Sequence, residues 1–347
     1  MLKKIKGKTV VDKNLRKREI MLYAVDEFIK TNQPITSGQL NNHFKDISSA
    51  TIRNELNALE SMGYLRQLHT SSGRVPTSLA YKEYVDSLLA DNKLNYKSIK
   101  NVITQYEDRS VSLISTLSSL AKRLSKATNC PTVLVQHGLK NLVITNIQIV
   151  PLIQKDALLL VETTAGIIDD NIALDSNITR DACNEASEYL TKYFKGQTIQ
   201  FMIENINEIC MRAGAQIYQF KELIDSVANA LIEVIKTRCD VTNENPTKLL
   251  EGLSVGEIDE TKSVFEFLED QESVIDVIQS NTEDLNFTIG EDKSKLKGGM
   301  MMSAPIVING VPIASLALVG PKRIDYSQVA AALKFIVNQI DDKGGKN

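Results

Sequence analysis

Thr51, Arg53, Asn54 and Asn57 lie close together along the chain, just after Ser48 and Ser49. These side-chain types read nucleic acid. Arg pairs bidentately with guanine and Asn with adenine, while hydroxyls hold phosphates and small residues let a backbone approach a groove. Their spacing decides whether they act together. Ile52, Leu56, Leu59 and Met62 recur at three- and four-residue steps, which predicts a helix with one buried stripe. On that helix Ala50, Asn54, Asn57 and Ser61 fall opposite the stripe, with Thr51 and Arg53 on its flanks. Ser48 or Ser49 is the expected N-cap, because its hydroxyl accepts from an orphan N–H of the first turn. Gly63 is placed to end the helix. A polar outer face alone is what any solvated helix shows, so the neighbouring elements carry the argument.

Before this helix, Met21, Leu22, Val25, Phe28 and Ile29 predict another, broken at the turn Asn32-Gln33-Pro34. Thr36 or Ser37 then caps a short helix, Gly38–Phe44. After it, Tyr64–His69 and Arg74–Thr77 read as a hairpin around a polar, Gly-containing turn. Three helices and a hairpin in this order are the layout of a winged helix-turn-helix, which places its last helix in the major groove of double-stranded DNA. His69, Thr70, Ser71 and Arg74 are expected on the wing, with Arg74 at its tip, in reach of phosphates or the minor groove. Charge agrees. Residues 1–85 carry a net +6, with Lys13, Arg16, Lys17 and Arg18 clustered, whereas the remainder carries −9.

At 347 residues and 43% hydrophobic content the chain is long enough for two or three domains with real cores. No run approaches the length of a membrane span, and the basic N-terminus has no apolar stretch of a signal peptide, so a cytoplasmic protein with no membrane contact is expected. Cys130, Cys183, Cys210 and Cys239 are far apart and read as buried thiols. Thr77 opens a helix carrying Leu79, Tyr84, Val85, Leu88 and Leu89, and Asp91–Lys97 reads as a linker. Ser98–Thr128 is then expected to be helical, with Ile99, Val102, Tyr106, Leu113, Leu117, Leu120 and Leu124 on its apolar side.

From Pro131 the texture changes. Thr132–Gln136, Val143–Val150, Ala157–Glu162 and Gly166–Leu174 are β-prone runs, as are Met300–Ile308 and Pro312–Val319 around the hairpin signal Asn309-Gly310. Helices are expected within Asp181–Arg238, and Asp325 caps a last one. The fold class is therefore α+β, one such domain being split by an insertion. His43, His69 and His137 lack metal-ligand spacing, no phosphate-cradling glycine motif occurs, and Glu162 with Asp169-Asp170 is an unconvincing acid/base pair. No enzyme activity, cofactor or metal is expected.

The stretch SSATIRNELNALESMGYLRQLHTSSGRVPTSLAYKEYVDSLL resembles the N-terminal signature of the HrcA family of bacterial heat-inducible transcription repressors. The resemblance continues through Leu250-Glu251-Gly252-Leu253 and Leu318-Val319-Gly320-Pro321-Lys322-Arg323-Ile324-Asp325-Tyr326, so it covers nearly the whole chain. Leu68 stands where the family usually has Pro, and Met300-Met301-Met302 is less typical. The resemblance implies a winged-helix DNA-binding domain over 1–90 and a GAF-like domain over 91–180 and 251–347. A mainly helical dimerisation domain would interrupt it over 181–250. It also implies a homodimer on an inverted-repeat operator upstream of chaperone operons, and an active form that depends on the GroEL chaperonin. The alternative is a metabolite-responsive winged-helix regulator with its ligand in the split domain. A third reading, an enzyme with a DNA-binding head, lacks a catalytic constellation.

Overall fold

The computed structural model describes residues 4–5, 8–9, 13–67, 73–91, 94, 112–152, 155–173, 179–212, 218–236, 238–242, 255–279, 285–291 and 294–344. The fold is α+β. Two short strands, β1 (Lys4–Ile5) and β2 (Lys8–Thr9), precede α1 (Lys13–Thr31), α2 (Ser37–His43) and α3 (Ser49–Ser61). Strands β3 (Leu65–Gln67) and β4 (Arg74–Pro76) then pair antiparallel, and α4 (Ser78–Ala90) follows. Each break has a local cause. Asn32 takes a left-handed φ of 53° after α1. Thr36 caps α2 in a reciprocal box, its hydroxyl accepting from the Gln39 N–H while the Gln39 side chain accepts from the Thr36 N–H. Ile20, Met21, Val25, Ile35, Leu40, Ile52, Leu56, Leu59 and Leu65 make the core of this head.

The expected long helix from Ser98 is not continuous. Ser112 is extended (φ −78°, ψ 131°), bridges to Ile167 and caps α5 (Leu113–Thr128), its Oγ accepting from the Ser115 N–H. Serine's side-chain competition for backbone N–H groups favours such a start over helix interior. The expected positions Ile99, Val102 and Tyr106 lie outside the described residues.

The body is built on a five-stranded antiparallel sheet in the order β10 (Asn286–Ile289), β11 (Gly299–Ile308), β12 (Val311–Pro321), β5 (Thr132–Gln136) and β9 (Arg238–Thr242). Both faces of its central strands are covered, so β5, β11 and β12 read as near-continuous apolar runs. Leu134, Met300, Met302, Leu316 and Leu318 join the core shared with α5 and α11 (Tyr326–Gly344). The alternate residues Val133, Val135, Met301, Ala317 and Val319 join Val264, Phe267, Val274 and Ile278 of α9 (Val255–Glu269) and α10 (Gln271–Gln279). The three consecutive methionines are thus buried by strand alternation. Asn309 and Gly310, at φ 50° and 79°, form the tight turn between β11 and β12 that their types call for. Asp325 caps α11 by accepting from the Gln328 N–H.

A second sheet, β6 (Ile144–Pro151), β7 (Asp156–Thr163) and β8 (Gly166–Ala173), is three-stranded and antiparallel. It packs with α6 (Arg180–Phe194), α7 (Ile199–Arg212) and α8 (Tyr218–Ile235) through Ile147, Ile149, Cys183, Leu190, Phe194, Val227 and Leu231. The chain leaves the large sheet after β5 and returns to it at β9. The small sheet and α6–α8 therefore lie in the chain between two neighbouring strands of the large sheet, with β6–β8 burying their apolar face on the helices that follow them. The strand β9 itself, RCDVT, was not anticipated, and neither was β10.

Candidate nucleic-acid interface

The helix singled out from sequence forms with the expected cap. Ser48 is extended (φ −66°, ψ 148°), its Oγ accepts from the Thr51 N–H at 3.2 Å, and its hydroxyl meets that of Thr51 at 2.9 Å. The C-terminus closes as a Schellman motif: the Gly63 N–H donates to the Glu60 carbonyl and the Tyr64 N–H to that of Leu59. Gly63 supplies the φ of +80° that this needs. Ile52, Leu56 and Leu59 are buried as the spacing requires. Met62, expected in that stripe, is 51% exposed, because it is the cap residue where the chain has begun to leave the helix.

Ser48, Ser49, Ala50, Arg53, Asn54, Asn57 and Ser61 are all exposed, so one uninterrupted polar face runs from the cap to the last turn; Thr51, half-buried, borders it. The opposite face holds a feature that periodicity misses. Glu55 sits among the buried residues at 8% exposure. Its Oε1 accepts from Arg16 Nε at 3.1 Å and Nη2 at 2.6 Å, tying α3 to α1. Arg18 in turn pairs with Glu83 of α4 at 2.7 Å. Two members of the expected phosphate-facing basic cluster are therefore paired within the head, Arg18 at its surface and Arg16 as a part-buried brace. Nothing in an isolated run of basic residues distinguishes these roles; an acid near the middle of another helix does.

Arg74, expected at the tip, opens β4 opposite Gln67, at the loop-side end of the paired strands. Its backbone N–H and C=O pair with Ile35, at 2.9 and 2.7 Å. Its Nε donates to Glu60 Oε2 at 2.8 Å and its Nη2 to Asn57 Oδ1 at 2.5 Å, so the guanidinium lies flat against the last turns of α3. The side chain is only 17% exposed. Gly73 explains the close approach, since a Cβ there would stand 2.7 Å from the Ile35 carbonyl oxygen and 2.8 Å from that of Pro34. His69, Thr70 and Ser71 lie outside the described residues.

Thr77 does not use its hydroxyl to cap α4; it donates to the carbonyls of Gly63 and Tyr64 and so pins the hairpin's outgoing strand under α3. Among the other residues weighed from sequence, His43 stacks on Tyr23 with ring centres 3.8 Å apart, and His137 shares a hydrogen bond with Ser315 at 3.0 Å. Burial lowers the His137 pKa and pushes the Cys130 thiol up to about 12, so neither is charged at neutral pH. Glu162 accepts from Asn146 Nδ2 at 3.2 Å. No described helix is long and apolar enough to cross a membrane.

A family model described as the HrcA protein C-terminal domain matches residues 115–330. The heat-inducible transcription repressor HrcA of Ruminiclostridium cellulolyticum is 27% identical over 337 residues, covering 94% of this chain and 96% of the relative. The repressor of the same name from Clostridioides difficile is 29% identical over 340 residues, covering 95% and 99%. A crystal structure described as that of a hypothetical protein shares the fold at a TM-score of 0.67 and 21% identity, covering 94% of this chain and 97% of that one.

Proposed function

The chain belongs to the HrcA family, and on that premise we propose that it is a heat-inducible transcription repressor whose head is a winged helix-turn-helix. In this reading α3 lies in the major groove of an inverted-repeat operator, and β3–β4 form the wing. The observation that carries it is the exposed face of α3, whose Arg53, Asn54 and Asn57 offer base-reading groups on a helix held rigidly from behind by Arg16 and Glu55. The repressors that this chain matches along almost their full length support the biological role.

The remaining assignments follow the same reading. A twofold protein reads an inverted repeat, so the repressor acts as a homodimer in the cytoplasm. The five-stranded sheet with its helices is the GAF-like domain, and β6–β8 with α6–α8 are the inserted dimerisation domain. GroEL brings the chain to its active fold, and heat-damaged proteins compete for that chaperonin. A stability of a few kcal/mol then makes the folded fraction the signal.

Replacing Arg53 or Asn54 with Ala tests the reading. Each is expected to weaken operator binding by about 1–3 kcal/mol while changing binding to random DNA far less. Titration of both DNAs at a fixed salt concentration distinguishes the outcomes. Equal losses on the two would place these residues on phosphates and remove base reading from α3.

A further inference from the structure

The exposed face of α3 presents two asparagines three residues apart, and their side-chain amides are in different states. Asn54 makes no side-chain hydrogen bond among the described residues. Asn57 accepts from Arg74 Nη2 at 2.5 Å. A guanidinium has only donors, so the atom facing it must be the amide oxygen, and the orientation of the Asn57 amide follows from chemistry. Its NH2 group is thereby turned away from Arg74. The Arg74 side chain is itself immobilised by Glu60 at 2.8 Å and by the backbone pairing of its strand with Ile35. The constraint thus runs from the Pro34–Ile35 segment through β4 to one amide on the reading helix.

From this geometry we propose that Arg74 sets the base specificity of Asn57, converting it from an adenine reader into a guanine reader. The inference rests on the DNA-binding function proposed above. The usual Asn–adenine pair needs an acceptor for the adenine N6 amine and a donor for N7, side by side. With its oxygen engaged by a cation, Asn57 offers a base edge two N–H donors. The major-groove edge of guanine presents two neighbouring acceptors, N7 and O6, and matches that offer. Adenine presents one acceptor and an amine that meets the donors head on. Asn54, whose oxygen is not engaged in this way, retains the ordinary preference for adenine. Arg74 acts here as a positioning residue for a neighbour, which places a specificity determinant in the hairpin without any contact between its guanidinium and a base.

The test is selection of binding sites from randomised DNA by the full-length protein, followed by affinity measurement on the selected sites. Wild type is expected to select G at the position facing Asn57 and A at the position facing Asn54. Arg74→Ala should shift the first position towards A by about tenfold in relative affinity and leave the second unchanged. Asn57→Asp keeps the acceptor for Arg74, and with it the brace, but removes both donors; it should abolish the G preference. A purely structural role of Arg74 would instead lower affinity evenly, so a preference profile for Arg74→Ala that superimposes on the wild-type profile would overturn the inference. Retention of the G preference by Asn57→Asp would overturn it as well. Failure of the wild-type protein to select any sequence would overturn the DNA-binding reading itself.

Discussion

Tyr326→Ala is expected to destabilise the protein by about 3–5 kcal/mol, in the range of large-to-small changes in a packed core. Among the described residues Tyr326 is the largest fully buried side chain, 1% exposed. It stands where three parts of the molecule meet. Its ring centre is 5.8 Å from Tyr81 and 6.3 Å from Tyr84, both on α4 of the head, and 5.4 Å from Phe287 on β10 of the body. Burial raises its pKa well above the usual value, so its hydroxyl stays a donor, which it gives to the Lys322 carbonyl. Removing the ring leaves a cavity at the only aromatic cluster shared by head and body among the described residues. Differential scanning calorimetry should therefore show the head unfolding ahead of the body in Tyr326→Ala, as two transitions. Tyr326→Phe keeps the packing, loses one hydrogen bond and should cost about 1 kcal/mol. A single transition with an unshifted midpoint in Tyr326→Ala would show that this cluster couples nothing.

Glu55→Ala should cost about 2–3 kcal/mol. The Glu55 side chain is 10% exposed and that of Arg16 24%, so removing the carboxylate strands a largely desolvated guanidinium, though the remaining access to water moderates the penalty. Glu55→Gln, which keeps an acceptor, should cost less. The same pair predicts what Arg16 does not do. If it braces α1 against α3, Arg16→Ala will lower the thermal midpoint and leave the salt dependence of DNA binding unchanged, whereas loss of a phosphate contact would reduce that slope by about one. Urea unfolding and a salt series on the same variants separate the two roles.

Local patterns carried far in this chain. The cap at Ser48, the buried trio Ile52, Leu56 and Leu59, the exposed face through Asn54 and Asn57, the Asn309-Gly310 turn and the Asp325 cap all follow from neighbours within a few residues. What escaped depends on partners distant in sequence. Glu55 looks like a solvent residue until Arg16, 39 positions earlier, is folded against it. Arg74 looks like a free cation on a loop until Ile35 captures its backbone and Asn57 and Glu60 its side chain. Strand β9 is short and polar, and it exists because β5, about a hundred residues before it, pairs with it from Thr132↔Thr242 to Gln136↔Arg238. The packing of the small three-stranded sheet was hidden for the same reason, since nothing in the alternation of β6–β8 says which layer will cover it. The exposed positions of the candidate site were thus readable, and the braces that hold them were not.

The most direct test of the account is a footprint of purified full-length protein on DNA upstream of chaperone operons. It would be taken before mild heating, after heating and cooling, and after adding chaperonin with ATP. The account predicts two symmetry-related protected tracts, loss of protection on heating, and its return only when chaperonin and ATP are supplied. Immediate and complete return of protection on cooling alone, together with its abolition by a small metabolite, would contradict the account and favour a ligand-controlled regulator.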